Sequence, residues 1–273
     1  MVAERKDGTG AEHIASFAKL HLPQKDLSAP EKQSEIRYDY VELPIAQLSQ
    51  LSENEFLQVQ KQLEEAGIPC EACNNFFPTD LRLTGPDADQ AKALVYAEKA
   101  LQRAAKLGAK AVVFGSGPAK MVPMGFSLEA GYQQIVSLLK EVNKIARENE
   151  IEIVIEPLRK AECNLINTFE EGCKLAKDVA GSNVAVLVDF YHFTVEKEPI
   201  EHLLRYGKQY LRHVHFANPN GRVFPASITE AAYRPFIGAL HEIGYNGRVS
   251  CEAYSKNFLP DAEAALRFFH QAF

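Results

Sequence analysis

The sequence lacks three features that would place it in large functional classes. It has no stretch of 18 consecutive apolar residues, which excludes a transmembrane helix. It has no run of lysine and arginine, and its formal net charge is -6 at pH 7. Because binding to nucleic acid requires dense positive charge on one surface, a nucleic-acid partner is disfavoured. The first residues, MVAERKDGTGAEH, contain no apolar segment of the kind found in secretory signals.

Cysteine is also scarce, with 5 residues in a chain of 273. An odd number of cysteines without a signal sequence is typical of a reducing cytoplasm, which is the expected location. Cys70 and Cys73 form a CxxC pair, a spacing found in zinc and redox sites. No second pair follows, and residues three apart on a strand point to opposite faces. The sequence therefore favours buried, inert cysteines over a metal or redox site here.

From residue 38 onward, the sequence alternates short apolar runs with amphipathic helical segments. The apolar runs are Tyr38–Leu43, Ile68–Asn74, Ala109–Gly115, Ile151–Glu156, Val184–Asp189, Leu211–Phe216 and Gly247–Glu252. The helical segments are Ser52–Ala66, Asp87–Leu107, Ser127–Asn149, Thr168–Val179, Pro199–Gln209, Thr229–Ile243 and Asp261–Ala272. Nearly continuous apolar runs are typical of parallel strands that are buried on both faces. Strict alternation of the two patterns predicts an α/β fold with a parallel sheet.

The positions of polar residues distinguish a closed barrel from an open sheet. Polar or charged residues end many of the apolar runs, and barrels gather their chemistry at the carboxyl ends of different strands. An open sheet usually carries a Gly-rich turn after its first strand, and no GxGxxG or GxxxxGK[ST] motif is present. We therefore expect one (β/α)8 TIM-barrel domain over residues 1–273. Its first strand is not recognisable in residues 1–37, where Ala11–Leu22 is the helical segment.

Four consecutive strand ends, those of strands five to eight of the expected barrel, carry side chains that bind metal ions. Glu156 ends the run IVIE, Asp189 ends VLVD, His215 lies in HVHF, and Glu252 ends VSCE. Burying one such group alone is unfavourable, but four of them can satisfy one another around a divalent cation. Each could instead cap a helix or pair with arginine, but four in succession favour a metal site. Three carboxylates and one imidazole suit Mn²⁺, the first expectation, or Mg²⁺ or Co²⁺, better than a structural zinc ion.

Other polar residues lie close to these four in the sequence. His213 shares a strand face with His215 but is further from the strand end, so we expect it in the core or behind the ligand. Glu162, His192 and Arg222 lie on loops that follow three of the same strands. Residues on such loops are often merely solvated, but these would lie above the predicted metal ion. They are therefore candidates for contact with a bound molecule.

Several segments resemble the sugar isomerase/epimerase superfamily of xylose isomerase-like barrels, and most of all its ketose 3-epimerases. The resemblance covers residues 38–273 and rests on EPLRKAECNLINT, DFYH, HVHFANPNGR and SCEAY. The segments ELP, CNNFFP and GSGPAKMVP, near the preceding strand ends, also match. The resemblance implies that Glu156, Asp189, His215 and Glu252 bind the metal. It further implies that Glu156 and Glu252 form the catalytic acid/base pair.

The same resemblance implies a substrate and a mechanism. Glu162, His192 and Arg222 would hold the oxygens of a small sugar, and the lack of an obvious phosphate-binding motif favours a free sugar. A divalent cation would stabilise the enediolate that forms when a carboxylate removes the proton next to the carbonyl. One glutamate would remove this proton and the other would return it from the opposite face. A homo-oligomer is compatible with the sequence, which contains no feature that decides the number of subunits.

Other functions remain open at the level of sequence. Inosose dehydratases and hydroxypyruvate isomerases share this scaffold and would be distinguished by their products. An endonuclease IV-like DNA-repair enzyme needs a histidine-rich site for several metal ions and a basic cleft, whereas strand ends two and three carry Glu42 and Asn74. A non-catalytic sugar-binding barrel would not need the complete set of four ligands.

Overall fold

The computed structural model describes residues 38–273, which form a curved parallel sheet with helices packed against it. The strands in this part of the chain are β1 (Val41–Pro44), β2 (Cys70–Asn74), β3 (Ala111–Phe114), β4 (Glu152–Ile155), β5 (Val184–Asp189), β6 (Leu211–Phe216) and β7 (Arg248–Cys251). They are hydrogen-bonded in sequence order, and every neighbouring pair is parallel. Each strand overlaps one of the predicted apolar runs. The prediction of an α/β barrel with a parallel sheet is confirmed.

Helices occupy the connections between the strands. They are α1 (Ile45–Leu48), α2 (Glu53–Ala66), α3 (Gln90–Leu107), α4 (Gly117–Lys120), α5 (Leu128–Glu148), α6 (Phe169–Val179), α7 (Phe190–Val195), α8 (Ile200–Tyr210), α9 (Tyr233–Glu242) and α10 (Phe258–Ala272). The long helices correspond to the predicted helical segments, whereas α1, α4 and α7 are short and were not predicted. Within residues 38–273, no helix combines the length and apolar character that crossing a membrane requires.

Helix α9 begins four residues later than the sequence predicts, because the residues expected to start it form a turn instead. The Thr229 hydroxyl is hydrogen-bonded to the Ser227 hydroxyl, and the Glu230 carboxylate accepts a hydrogen bond from the Ala226 N–H. Threonine is a common first residue of a helix, but here its oxygen is engaged with the preceding turn. Ala232 therefore stands at the N-cap position, without a capping side chain.

Along β3, β4 and β5, successive residues alternate between two separate clusters of buried apolar side chains. The larger cluster contains strand residues such as Val112 and Ile153 together with residues of the helices, so it lies between the sheet and its outer layer. The smaller cluster is made of strand residues, among them Ala72, Val113 and Leu187. These side chains point away from the helices and fill the interior of the barrel. The polar side chains of the site lie at the carboxyl ends of the strands.

The two edges of the sheet are joined by side chains. Among the described residues, no backbone ladder connects β1 to β7. Instead, the Tyr40 hydroxyl lies 2.8 Å from Ser250 Oγ, and the Ser250 hydroxyl donates to Glu42 Oε2 at 2.6 Å. A cavity of about 840 Å³ follows this seam between β1, β7 and α10. The first strand and the helix Ala11–Leu22 expected in residues 1–37 lie outside the described residues.

Candidate metal centre and active site

The four side chains expected to bind a metal ion meet at one end of the sheet. Glu156 directly follows β4, Asp189 is the last residue of β5, His215 lies in β6, and Glu252 directly follows β7. Because these strands are parallel neighbours, their carboxyl ends lie side by side. One potential ligand atom from each residue lies within 4.8 Å of the corresponding atoms of the other three. Glu252 is partly buried and the other three are buried.

The unpaired polar atoms of this cluster fit a divalent cation. His215 Nδ1 lies 2.9 Å from Glu252 Oε2 and 3.4 Å from Glu156 Oε1. Neither contact has the geometry of a hydrogen bond, so His215 Nδ1 and Glu156 Oε1 are buried without a hydrogen-bond partner. An unsatisfied buried polar atom costs about 1–3 kcal/mol, which a bound cation would offset. Oxygen-rich ligand sets that include imidazole are suited to ions such as Mn²⁺.

Two residues that follow β3 fix the position of Glu156. A Cβ atom added to Gly115 would lie 2.1 Å from Glu156 Oε2, so this carboxylate occupies space that only glycine leaves free. Lys120, which is fully buried, donates from Nζ to the backbone carbonyl of Glu156 at 3.0 Å. Burial lowers the pKa of Lys120. The roles of these two residues were not predicted, because neither carries a pattern that points to Glu156.

Arg222 enters the cluster itself rather than only the loop above it. Its Nη2 donates to Glu252 Oε2 at 2.8 Å and lies 3.2 Å from Asp189 Oδ2. Burial opposes the charge of the guanidinium, but the Glu252 and Asp189 carboxylates outweigh burial and raise the pKa of Arg222. The backbone of Arg222 is left-handed, with φ at 52°. This conformation turns the chain at the residue whose side chain neutralises the two carboxylates.

His192 presents an unpartnered nitrogen beside the cluster. Its Nδ1 accepts a hydrogen bond from the Arg159 N–H at 3.4 Å, so we assign its proton to Nε2. His192 Nε2 lies 3.4 Å from Asp189 Oδ2 and 3.9 Å from Glu162 Oε2, and it is buried without a hydrogen-bond partner. The other oxygen of Glu162 accepts from Arg159 Nε at 2.6 Å. The structure thus brings both predicted loop residues, His192 and Glu162, to the edge of the cluster.

The two glutamates of the cluster have opposite electrostatic environments. Burial, reinforced by the neighbouring Glu252 carboxylate, raises the pKa of Glu156 despite the opposing effect of His215. Burial also disfavours the charged form of Glu252, but Arg222 and His215 outweigh it and hold the Glu252 pKa below its usual value. Of the two, Glu156 is therefore the more readily protonated, and Glu252 is the one that stays ionised. Two carboxyl groups whose pKa values are pushed apart can perform acid/base chemistry.

A second buried cluster adjoins the first, and its connections were not predicted. Glu42 on β1 is 1% exposed, and its two oxygens each lie 2.8 Å from the Nε2 of a histidine on β6. These histidines are His213, bonded to Oε2, and His215, bonded to Oε1. His213 is buried behind the proposed ligand, as we expected. The available signal was the pair of histidines two apart, which face the same side of a strand.

The prediction that Cys70 and Cys73 point to opposite faces was wrong. Their sulfur atoms lie 4.0 Å apart, next to a register shift between Val41 and Glu42 in the pairing of β1 with β2. The hydrogen bond with Cys70, together with burial, raises the pKa of Cys73 well above its usual value. A protonated buried thiol is a poor nucleophile and a poor metal ligand. The protonated state of the buried Cys73 thiol thus disfavours a metal or redox site here, which is a different reason from the one that the strand pattern suggested.

Comparison with known proteins identifies the class. A family model described as a xylose isomerase-like TIM barrel matches residues 31–272. The chain therefore belongs to this family, which confirms the resemblance seen in the sequence. D-psicose 3-epimerase of Agrobacterium fabrum is 26% identical over 230 residues, which cover 83% of this chain and 78% of that protein. 3-Dehydro-D-guloside 4-epimerase of Escherichia coli is 25% identical over 212 residues, covering 73% of this chain and 77% of that protein.

A solved structure shows the same architecture. The crystal structure of a D-psicose 3-epimerase in the presence of D-fructose has a TM-score of 0.76 to this chain and 20% sequence identity. The match covers 87% of this chain and 89% of that one, so the two share their fold over nearly their whole length. With relatives that are epimerases and a matching fold, this member of the family is an enzyme.

Proposed function

We propose that the chain is a divalent-metal-dependent sugar isomerase or epimerase that acts on a small ketose or related sugar by proton transfer through an enediolate. The observation that carries this proposal is the convergence of Glu156, Asp189, His215 and Glu252, whose ligand atoms lie within 4.8 Å of one another. The relatives that cover most of the chain are named as epimerases of sugars, which supports the same reaction class. Mn²⁺ is the proposed ion, with Mg²⁺ and Co²⁺ as alternatives.

Glu156 and Glu252 are the proposed acid/base pair. Their carboxylates approach the same nitrogen, His215 Nδ1, from two different strands at 3.4 and 2.9 Å. A divalent cation held here would supply the positive charge that stabilises an enediolate. One glutamate, as the carboxylate, would take up the proton next to the sugar carbonyl, and the other, as the carboxylic acid, would deliver its own proton to the same carbon from the opposite face. Gly115 leaves the space that the Glu156 carboxylate occupies.

Glu162, His192 and Arg222 are proposed to hold the oxygens of the sugar. His192 carries a buried N–H without a partner, which can donate to a hydroxyl group. The Glu162 side chain is 31% exposed and lies beside it, where it can accept from a second hydroxyl. Arg222 can donate to an oxygen through the nitrogens that do not contact Asp189 or Glu252. These donors and acceptors complement a polyhydroxylated substrate.

Turnover in deuterated water tests the proposed function. The purified chain, loaded with Mn²⁺ and offered a panel of free ketoses, is expected to form an epimer or isomer that carries solvent deuterium at the reacting carbon. Removal of the ion with a chelator is expected to abolish turnover, and Mn²⁺ is expected to restore it. NMR and mass spectrometry measure both effects. Full retention of the substrate hydrogen would indicate a hydride shift, and a dehydrated diketone from an inosose would indicate a dehydratase.

A further inference from the structure

Glu42 connects strands β1, β6 and β7 beside the cluster of four proposed ligands. It is not one of the four. Its Oε1 accepts from His215 Nε2 at 2.8 Å, and its Oε2 accepts from His213 Nε2 at 2.8 Å and from the Ser250 hydroxyl at 2.6 Å. Ser250 in turn lies 2.8 Å from the hydroxyl of Tyr40. When Ser250 donates to Glu42, Tyr40 donates to Ser250. The carboxylate is therefore immobilised by three donors in a fully buried position.

This arrangement determines which nitrogen of His215 faces the other proposed ligands. Nε2 is engaged with Glu42, so Nδ1 points towards Glu252 and Glu156, at 2.9 and 3.4 Å. A histidine can bind a metal ion only through a nitrogen that carries a lone pair, and its proton must then reside on the other nitrogen. A carboxylate that accepts this proton's hydrogen bond fixes the orientation of the ring and strengthens the ligand.

We infer that Glu42 is a positioning residue that holds the His215 imidazole with Nδ1 towards the metal ion and thereby sets the affinity of the site. The inference rests on the proposed function, because it requires His215 to be a ligand. Glu42 is not itself a ligand of a second ion with His213 and His215. The two nitrogens lie 2.8 Å from different carboxylate oxygens, which is a hydrogen-bond distance. Ligands held about 2.0–2.2 Å from a shared ion would lie about 3 Å or more apart.

The affinity for Mn²⁺ in Glu42→Gln tests this role. Glutamine has the same shape, but its amide nitrogen cannot accept a hydrogen bond from either histidine or from Ser250. We expect the dissociation constant for Mn²⁺, measured by electron paramagnetic resonance of the free ion, to rise about 10- to 100-fold. Glu71→Gln is the matched control, because Glu71 lies on the adjacent strand β2 and pairs with Arg248 rather than with a proposed ligand. Its Mn²⁺ affinity should be unchanged.

A spectroscopic measurement separates positioning from a merely structural role. In the chain labelled with ¹⁵N-histidine and loaded with Zn²⁺, a diamagnetic ion, the His215 Nε2–H should be visible and slow to exchange with solvent. In Glu42→Gln this signal should be lost or exchange rapidly, while the circular dichroism of the fold is retained. A variant that keeps both the slow exchange and the normal Mn²⁺ affinity would overturn the inference.

The outcomes also distinguish this inference from the proposed function. If the unsubstituted chain binds no divalent ion, the proposed function fails. If it binds Mn²⁺ and Glu42→Gln binds equally tightly, only the inference fails. Two Mn²⁺ ions in the unsubstituted chain and one in the variant would make Glu42 a direct ligand and refute positioning. Should Glu42→Gln not fold, Ser250→Ala removes one donor to Glu42. It is expected to weaken Mn²⁺ binding by up to about 10-fold, the lower end of the range for partners of a ligand; unchanged affinity would refute the inference.

Discussion

The strands of the described sheet fall into two groups that contribute to the site in different ways. Strands β4–β7 place the proposed ligands, whereas β1–β3 place none of these four. Yet Glu42 on β1 places its carboxylate behind His215. Gly115, directly after β3, has no side chain and so leaves room for the carboxylate of Glu156. On this comparison, we expect the proposed site to depend on groups that orient the proposed ligands, and on the absence of a side chain at residue 115, as well as on the four ligands.

The largest effect on activity is expected in the group of strands that places the proposed ligands, β4–β7. Glu252→Gln removes a proposed ligand and one member of the acid/base pair while it keeps the size of the side chain. We expect kcat in the ketose assay to fall about a thousandfold, because a neutral amide cannot take up the proton. Glu71→Gln, on β2, should retain the activity of the unsubstituted chain. Comparable activity of Glu252→Gln and Glu71→Gln would contradict the distinction between strands that place the proposed ligands and strands that do not.

A smaller effect, on Mn²⁺ affinity, is expected in the group of strands that places none of the four proposed ligands, β1–β3. Gly115→Ala adds a Cβ atom that would lie 2.1 Å from Glu156 Oε2, so the carboxylate must move away. We expect Mn²⁺ affinity to fall about tenfold, as is usual when the surroundings of a ligand are disturbed. Gly238→Ala in α9 is the control, because no atom lies within 4 Å of the added Cβ. Equal Mn²⁺ affinity in the two variants would show that β3 does not take part in the site.

The smallest effect is expected at the amino ends of the strands, opposite to the end that carries the proposed site. Arg248, the first residue of β7, pairs with Glu71 on β2 at 2.6 Å, and both side chains are about one-third exposed at 31% and 37%. Arg248→Gln should change the free energy of unfolding in urea by less than about 1 kcal/mol, because exposed ion pairs contribute little. Mn²⁺ affinity should not change. A large loss of Mn²⁺ affinity would contradict this prediction, because it would show that the amino ends of the strands also contribute to the site.

Sequence alone located the strands and drew attention to the four proposed ligands, because a charged residue that ends an apolar run is unusual. It did not reveal the partners of Glu42, which lie 171, 173 and 208 residues away along the chain. A pattern shows which face of its own strand a residue occupies, but not which strands meet across the barrel. The entry of Arg222 into the cluster depends on a left-handed backbone that no periodicity predicts. Helices α1, α4 and α7 are too short to show a helical period.

The bonds of Glu42 to β6 and β7 also join the two edges of the sheet, since Glu42 lies on β1. The same carboxylate therefore both bridges the two edges of the described sheet and aligns a proposed ligand. A substitution at residue 42 therefore also changes the hydrogen bonds of residues 213 and 250. A designer who transfers the four ligands to another barrel would need to transfer this buried trio with them.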